Sequence, residues 1–143
     1  MTKIVINEDY GGFGLSPLAT IMYLELKGKK CYFYEMLEFG KTYDDCTYKK
    51  ITADEATGKL FRHVILQDLD NIYVGRFPNN LIFTDHSIER DDPDLIKVVE
   101  RLGVAANGRC AHLKIVEIPD DVEWEIDEYD GVERVDEKHR SWC

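Results

Sequence analysis

The stretch Lys3-Ile4-Val5-Ile6-Asn7-Glu8-Asp9-Tyr10-Gly11-Gly12-Phe13-Gly14-Leu15-Ser16-Pro17 contains a strand, a glycine loop and a helix start in succession. Ile4, Val5 and Ile6 are β-branched and lead into the glycines, the pattern of a buried strand ending in a loop. Ser16-Pro17 supplies an N-cap and a proline suited to the first helical position. Leu18, Ile21, Met22 and Leu26 follow at helical spacing, and Gly28 is placed to stop the helix.

The cap-plus-proline signal recurs at Asp92-Pro93, where Leu95, Ile96, Val98, Val99 and Leu102 keep a helical period until Gly103. Between the helices, 31–34 reads as a strand, and 39–53, with Gly40 and Asp44-Asp45, as a loop or hairpin tip. Residues 60–67 and 71–74 read as strands joined through Asp68-Leu69-Asp70, and Pro78-Asn79-Asn80 as a turn before a strand at 81–84. Further on, 113–118 and 122–129 read as two strands joined by a tight turn at Pro119-Asp120-Asp121. Val122, Trp124 and Ile126 alternate with Glu123, Glu125 and Asp127, so one face is expected in the core and the other as a solvated acidic stripe. The tail 131–143, polar apart from Val132, Val135 and Trp142, reads as a short terminal helix or an ordered arm. The sum is a single α+β domain over 1–143, mostly antiparallel sheet with two principal helices.

Size and composition agree with one such domain: 143 residues, 44% hydrophobic and 32% charged, a balance that argues against wholesale disorder and collagen-like structure. No apolar run approaches the roughly 20 residues that span a bilayer, and the N-terminus lacks the apolar region of a signal peptide. Cys31, Cys46, Cys110 and Cys143 form no CxxC pair, so free thiols in a reducing cytoplasm are expected, with no metal and no cofactor. The formal charge of −10 disfavours duplex nucleic acid and anionic membrane surfaces as partners. That charge is local. Residues 117–137 contain 11 acids and Arg134 as their one base, and the rest of the chain is balanced, leaving room for a positive pocket elsewhere.

A strand running through glycines into a helix N-terminus presents backbone N–H groups and the positive end of the helix dipole, which favour phosphate. Gly11, Gly12 and Gly14 permit positive φ and close ligand approach, Ser16 follows them, and Tyr10 or Phe13 could stack on a base. A plain tight turn fits the same residues, since the spacing matches neither the dinucleotide fingerprint nor a Walker loop. Ala106-Asn107-Gly108-Arg109 is a turn that could aim Arg109 as a planar fork at phosphate and let Asn107 orient a ligand; a surface arginine is the simpler alternative. Arg90 either pairs with a neighbouring acid or binds ligand, and Asp92 most simply caps the helix. His139-Arg140 and Trp142 either close over a site or fray. The four histidines, His63, His86, His112 and His139, are dispersed and outside any HExxH pattern; Cys110 and His112 would share a strand face without constituting a nucleophile and base.

The 3–7 opening, the 10–16 loop, the Asp92-Pro93 helix, Ala106-Asn107-Gly108-Arg109 and the ending from Val122-Glu123-Trp124-Glu125-Ile126 to Trp142 resemble small phage-encoded proteins. The family they are most similar to is the first-described Thoeris anti-defence family, sponges for immune signalling nucleotides; residues 41–58 do not share the likeness. The resemblance implies a non-enzymatic protein of the host-cell cytoplasm. It would capture cyclic ADP-ribose isomers, and in some members cyclic oligonucleotides, uncleaved, in pockets between subunits of a homo-oligomer. The ligand-contacting set expected from the loops is Tyr10, Gly11, Gly12, Phe13, Gly14, Ser16, Arg90, Asn107, Gly108 and Arg109. The alternative is an acidic inhibitor that occupies a basic partner surface or mimics nucleic acid through 117–137.

Overall fold

The computed structural model describes residues 1–10, 12–38, 40–42, 45–57, 62–108 and 111–137. Among them, nine strands, two ten-residue helices and a short third helix form an α+β fold whose paired strands are all antiparallel.

Strand β1 (Thr2–Asn7) pairs with β7 (Leu113–Ile118), Val5 opposite Ile115. Helices α1 (Pro17–Leu26) and α3 (Pro93–Leu102) pack against this ribbon. Both begin as the sequence predicts: the Ser16 side chain accepts from the Ala19 amide and that of Asp92 from the Asp94 amide. Gly103, at φ +55, ends α3 in a conformation that disfavours a side chain. Val5, Phe13, Leu15, Tyr23, Leu95, Val98 and Ala106 fill the shared core.

A five-stranded sheet runs in the order β5 (Ile72–Val74), β3 (Thr47–Ile51), β2 (Tyr32–Glu38), β4 (His63–Ile65), β6 (Ile82–Phe83). Its faces differ. Phe33 and Ile51 cluster with Ala56 of α2 (Ala53–Ala56) and with Ile21 of α1, whereas Tyr34, Tyr48 and Ile65 cluster with Cys46 and Phe77. β3 corrects the expectation of a loop or hairpin tip at 39–53, confining the connection between the paired strands β2 and β3 to 39–46, and α2 starts at the last residue of that stretch. β3 is stabilised by non-local pairing with β2 and β5, and α2 by a capping box in which Thr52 and Glu55 satisfy each other's backbone amides.

The turn at Pro119-Asp120-Asp121 does not close a hairpin. β7 pairs with β1, and β8 (Trp124–Tyr129) pairs with β9 (Val132–Glu137), a strand occupying the start of the expected terminal helix or arm. The expected alternation in β8 is present: Trp124 and Ile126 are half-buried while Glu125 and Asp127 are exposed.

Candidate functional site

The two predicted loops lie against each other. Gly12 has φ +91, open only to glycine at low cost, and the chain then returns to pair Leu15 with Asn107 in an isolated bridge. The Gly108 amide donates to the Gly14 carbonyl at 2.9 Å and the Ser16 amide to the Ala106 carbonyl at 2.9 Å. Backbone contact is so close that a Cβ on Gly108 would stand 2.8 Å from the Gly14 carbonyl carbon and oxygen. Polar side chains here hold the junction: the Ser16 hydroxyl donates to the Ala105 carbonyl at 2.6 Å, and Asn107 Oδ1 accepts from the Leu113 amide at 2.9 Å. Among the described residues, nothing accepts from the amides of Gly12, Phe13 or Gly14.

Phe13 and Arg90 meet each other. Phe13 is 5% exposed, with the Arg90 guanidinium 3.7 Å from its ring centroid. Arg90 grips Glu133 with both terminal nitrogens, at 2.6 and 2.9 Å. Glu133 Oε1 also accepts from the Asn7 amide at 2.8 Å. Arg90 therefore does pair with an acid, but one brought from β9 rather than a sequence neighbour.

Tyr10 is 65% exposed and borders a cavity of about 430 Å³ lined also by Asp127, Tyr129, Val132, Glu133 and Arg134. Arg134 is held at the rim by Asp127 at 2.9 Å and Asp136 at 3.1 Å. Glu133 links this cavity to Arg90 and Phe13, so Tyr10, Phe13, Gly14, Ser16, Arg90, Asn107 and Gly108 form one continuous region. Gly11 and Arg109 lie outside the described residues, as do Cys110, His139, Arg140 and Trp142.

A second cavity, of about 280 Å³, brings together residues that the sequence leaves dispersed: Arg62, His63, Asp85 and His86, with Thr20, Val64, Ile82, Phe83 and Thr84. Arg62 Nη2 donates to the Leu15 carbonyl at 2.9 Å, and Asp85 Oδ2 accepts from the Leu15 amide at 3.0 Å. The glycine loop is thus held from this side too. Burial lowers the pKa of His63, whose ring meets Tyr48 edge-on at 5.0 Å. The neighbouring pairs Arg62-His63 and Asp85-His86 were the available sequence signal. Among the described residues, no three His, Cys, Asp or Glu side chains converge as metal ligands.

No protein family, curated protein or solved structure matches the chain. Among the described residues, no helix is long and apolar enough to cross a membrane.

Proposed function

We propose that the protein binds a phosphate-containing signalling nucleotide and withholds it uncleaved. The ligand suggested by the family resemblance is a cyclic ADP-ribose isomer, with cyclic oligonucleotides as a further class. The observation that carries this reading is the joining of the 12–16 and 106–108 loops, with the Tyr10 cavity reached from Phe13 through Arg90 and Glu133. Loop amides can meet phosphate oxygens, an exposed tyrosine can stack on a base, and about 430 Å³ lies within the 300–1,000 Å³ range of small-molecule pockets. Sequestration requires affinity and stoichiometry but no acid, base or nucleophile. A homo-oligomer would bury the ligand between protomers, strengthen its electrostatic contacts by excluding water, and make affinity depend on assembly.

Calorimetry with cyclic ADP-ribose isomers tests the reading. Saturable heat is expected, with about tenfold or greater weakening in Tyr10→Ala or Arg109→Ala, equivalent to losing about 1.4 kcal/mol. The nucleotide should be recovered intact after heat denaturation of the complex. No heat with any isomer, or recovery of a hydrolysed product, overturns the proposal.

The exposed Glu123, Glu125 and Asp127 favour a second reading, an acidic surface that occupies a basic partner. Reversing the charges of Glu123 and Glu125 alone, since Asp127 also lines the Tyr10 cavity, would abolish such an activity and leave a nucleotide sponge largely intact.

A further inference from the structure

We propose that the cavity lined by Arg62, His63, Ile82, Phe83 and His86 is a separate anion site, for a phosphate monoester of a small aromatic or nucleoside group. This goes beyond the sponge reading: none of that reading's residues lines this cavity, and Gly14 approaches it only at Asp85.

Three features assign that ligand class. The first is charge. Arg62 contributes the guanidinium, tied through Nη2 to the Leu15 carbonyl, and the His63 and His86 imidazoles join it as hydrogen-bonding groups, the charged form of His63 being disfavoured by burial. The opposing acid is Asp85, which accepts from the Leu15 amide through Oδ2 and stands 4.0 Å from His86 Nε2 through Oδ1. The second is preorganisation. Arg62 is tied to the Leu15 carbonyl at 2.9 Å, and His63 is held between Tyr48 at 5.0 Å and Phe77 at 5.7 Å. Neither group must surrender much freedom to meet an anion. The third is size and wall chemistry. At about 280 Å³ the cavity falls just under the usual range for small-molecule pockets, too small for a dinucleotide. Val64, Ile82 and Phe83 provide an apolar wall, and Phe83 is braced by Tyr23 with ring centroids 6.1 Å apart. A bare phosphate would leave that wall unused, whereas an esterified aromatic group would cover it.

Occupancy of this cavity would reach the glycine loop directly, because Arg62 and Asp85 hold the carbonyl and amide of the same residue, Leu15. The site is therefore placed to influence loop geometry from behind.

The test is a titration of the full chain with inorganic phosphate and with phenyl phosphate, followed through the imidazole NMR resonances of His63 and His86. Saturable shifts of both rings are expected, with phenyl phosphate binding more tightly. Arg62→Gln should weaken binding about tenfold or more, the loss expected for a charge-assisted bond. Arg62 also supports Leu15, so His86→Gln, at an exposed position, provides a second variant and should weaken binding several-fold. Tyr10→Ala should leave both titrations unchanged while impairing cyclic nucleotide capture, which separates failure of this site from failure of the sponge reading. The proposal is overturned by the absence of saturable shifts, by equal affinity for the two probes, or by wild-type affinity in both cavity variants.

Discussion

Arg90 lies over Phe13 and reaches Glu133 through two hydrogen bonds, while the same carboxylate takes the Asn7 amide. Their side chains are 15% and 7% exposed, so removing one partner strands a charge away from water. Glu133→Ala is expected to cost about 3–5 kcal/mol in urea unfolding, whereas replacing both residues by apolar side chains of similar volume should recover most of that loss. Equal destabilisation by single and double variants would show that the pair is not acting through an uncompensated charge. Gly108→Ala tests a different constraint. Its new methyl would meet Gly14 backbone atoms at 2.8 Å, which no rotamer change can relieve. A loss of about 1–3 kcal/mol is expected, as for overpacking elsewhere, and an unchanged unfolding midpoint would count against the loop junction. Neither contact could be read from the sequence. Gly14 and Gly108 are each visible as turn residues, but their apposition depends on the Leu15 and Asn107 bridge. Arg62, His63, Asp85 and His86 escape notice because β4 and the turn after β6 bring them together only in three dimensions.

At the scale of elements, α1 and α3 were legible because their signals are local: a capping side chain and a proline in both, and an apolar stripe in α3. The face α1 buries is instead Ala19, Thr20, Tyr23 and Leu24, with Leu18 and Leu26 of the expected stripe exposed. β3 and β9 were not, since Thr47–Ile51 and Val132–Glu137 acquire strand structure from partners. The sequence of α2 does contain the Thr52 to Glu55 capping box, but four residues are too few for an apolar period. The hairpin expected between β7 and β8 misjudged pairing rather than strand identity: β7 pairs with β1, and β8 with β9. Asp92 shows how a local signal is reinforced by the fold. It accepts from the Tyr23 hydroxyl at 2.8 Å and from Lys27 at 3.2 Å as well as capping α3. Burial pushes its pKa up, but these hydrogen bonds and the Lys27 charge outweigh burial and leave it below the usual 3.8. The stabilisation is consequently complete above the unfolded-state pKa and disappears as pH falls through the lower folded-state value. Asp92→Asn retains a capping oxygen but loses the charge, so it should be less stable than the native chain at neutral pH by about 1 kcal/mol. The two urea midpoints should begin to converge below about pH 4 and meet only below the lowered folded-state pKa. A gap that persists into stronger acid would exclude the carboxylate charge as its source.

At the scale of the molecule, most of the acidic excess sits on the β8–β9 hairpin and the turn before it. A two-stranded hairpin is marginal on its own, and β8–β9 is anchored to the body through Glu133 to Arg90 and through the Asn7 side chain to the Gly131 carbonyl at 2.7 Å. Residues 117–137 carry 11 acids against Arg134, so repulsion within this segment opposes those anchors. Salt acts on both sides of the balance. It weakens the exposed bonds of Arg134 to Asp127 and Asp136, but such pairs contribute at most about 1 kcal/mol each, and it screens a larger set of unfavourable contacts. Repulsion should dominate. Raising sodium chloride from about 0.01 M to about 1 M shortens the Debye length from about 30 Å to about 3 Å, and native-state hydrogen exchange should then slow in β8 and β9 more than in β1, α1 and α3. Glu133→Ala should exaggerate this difference, because the hairpin then loses its buried anchor while keeping its charge. A uniform response across the fold, or faster hairpin exchange at high salt, would mean that the Arg134 pairs rather than the acidic excess govern its stability.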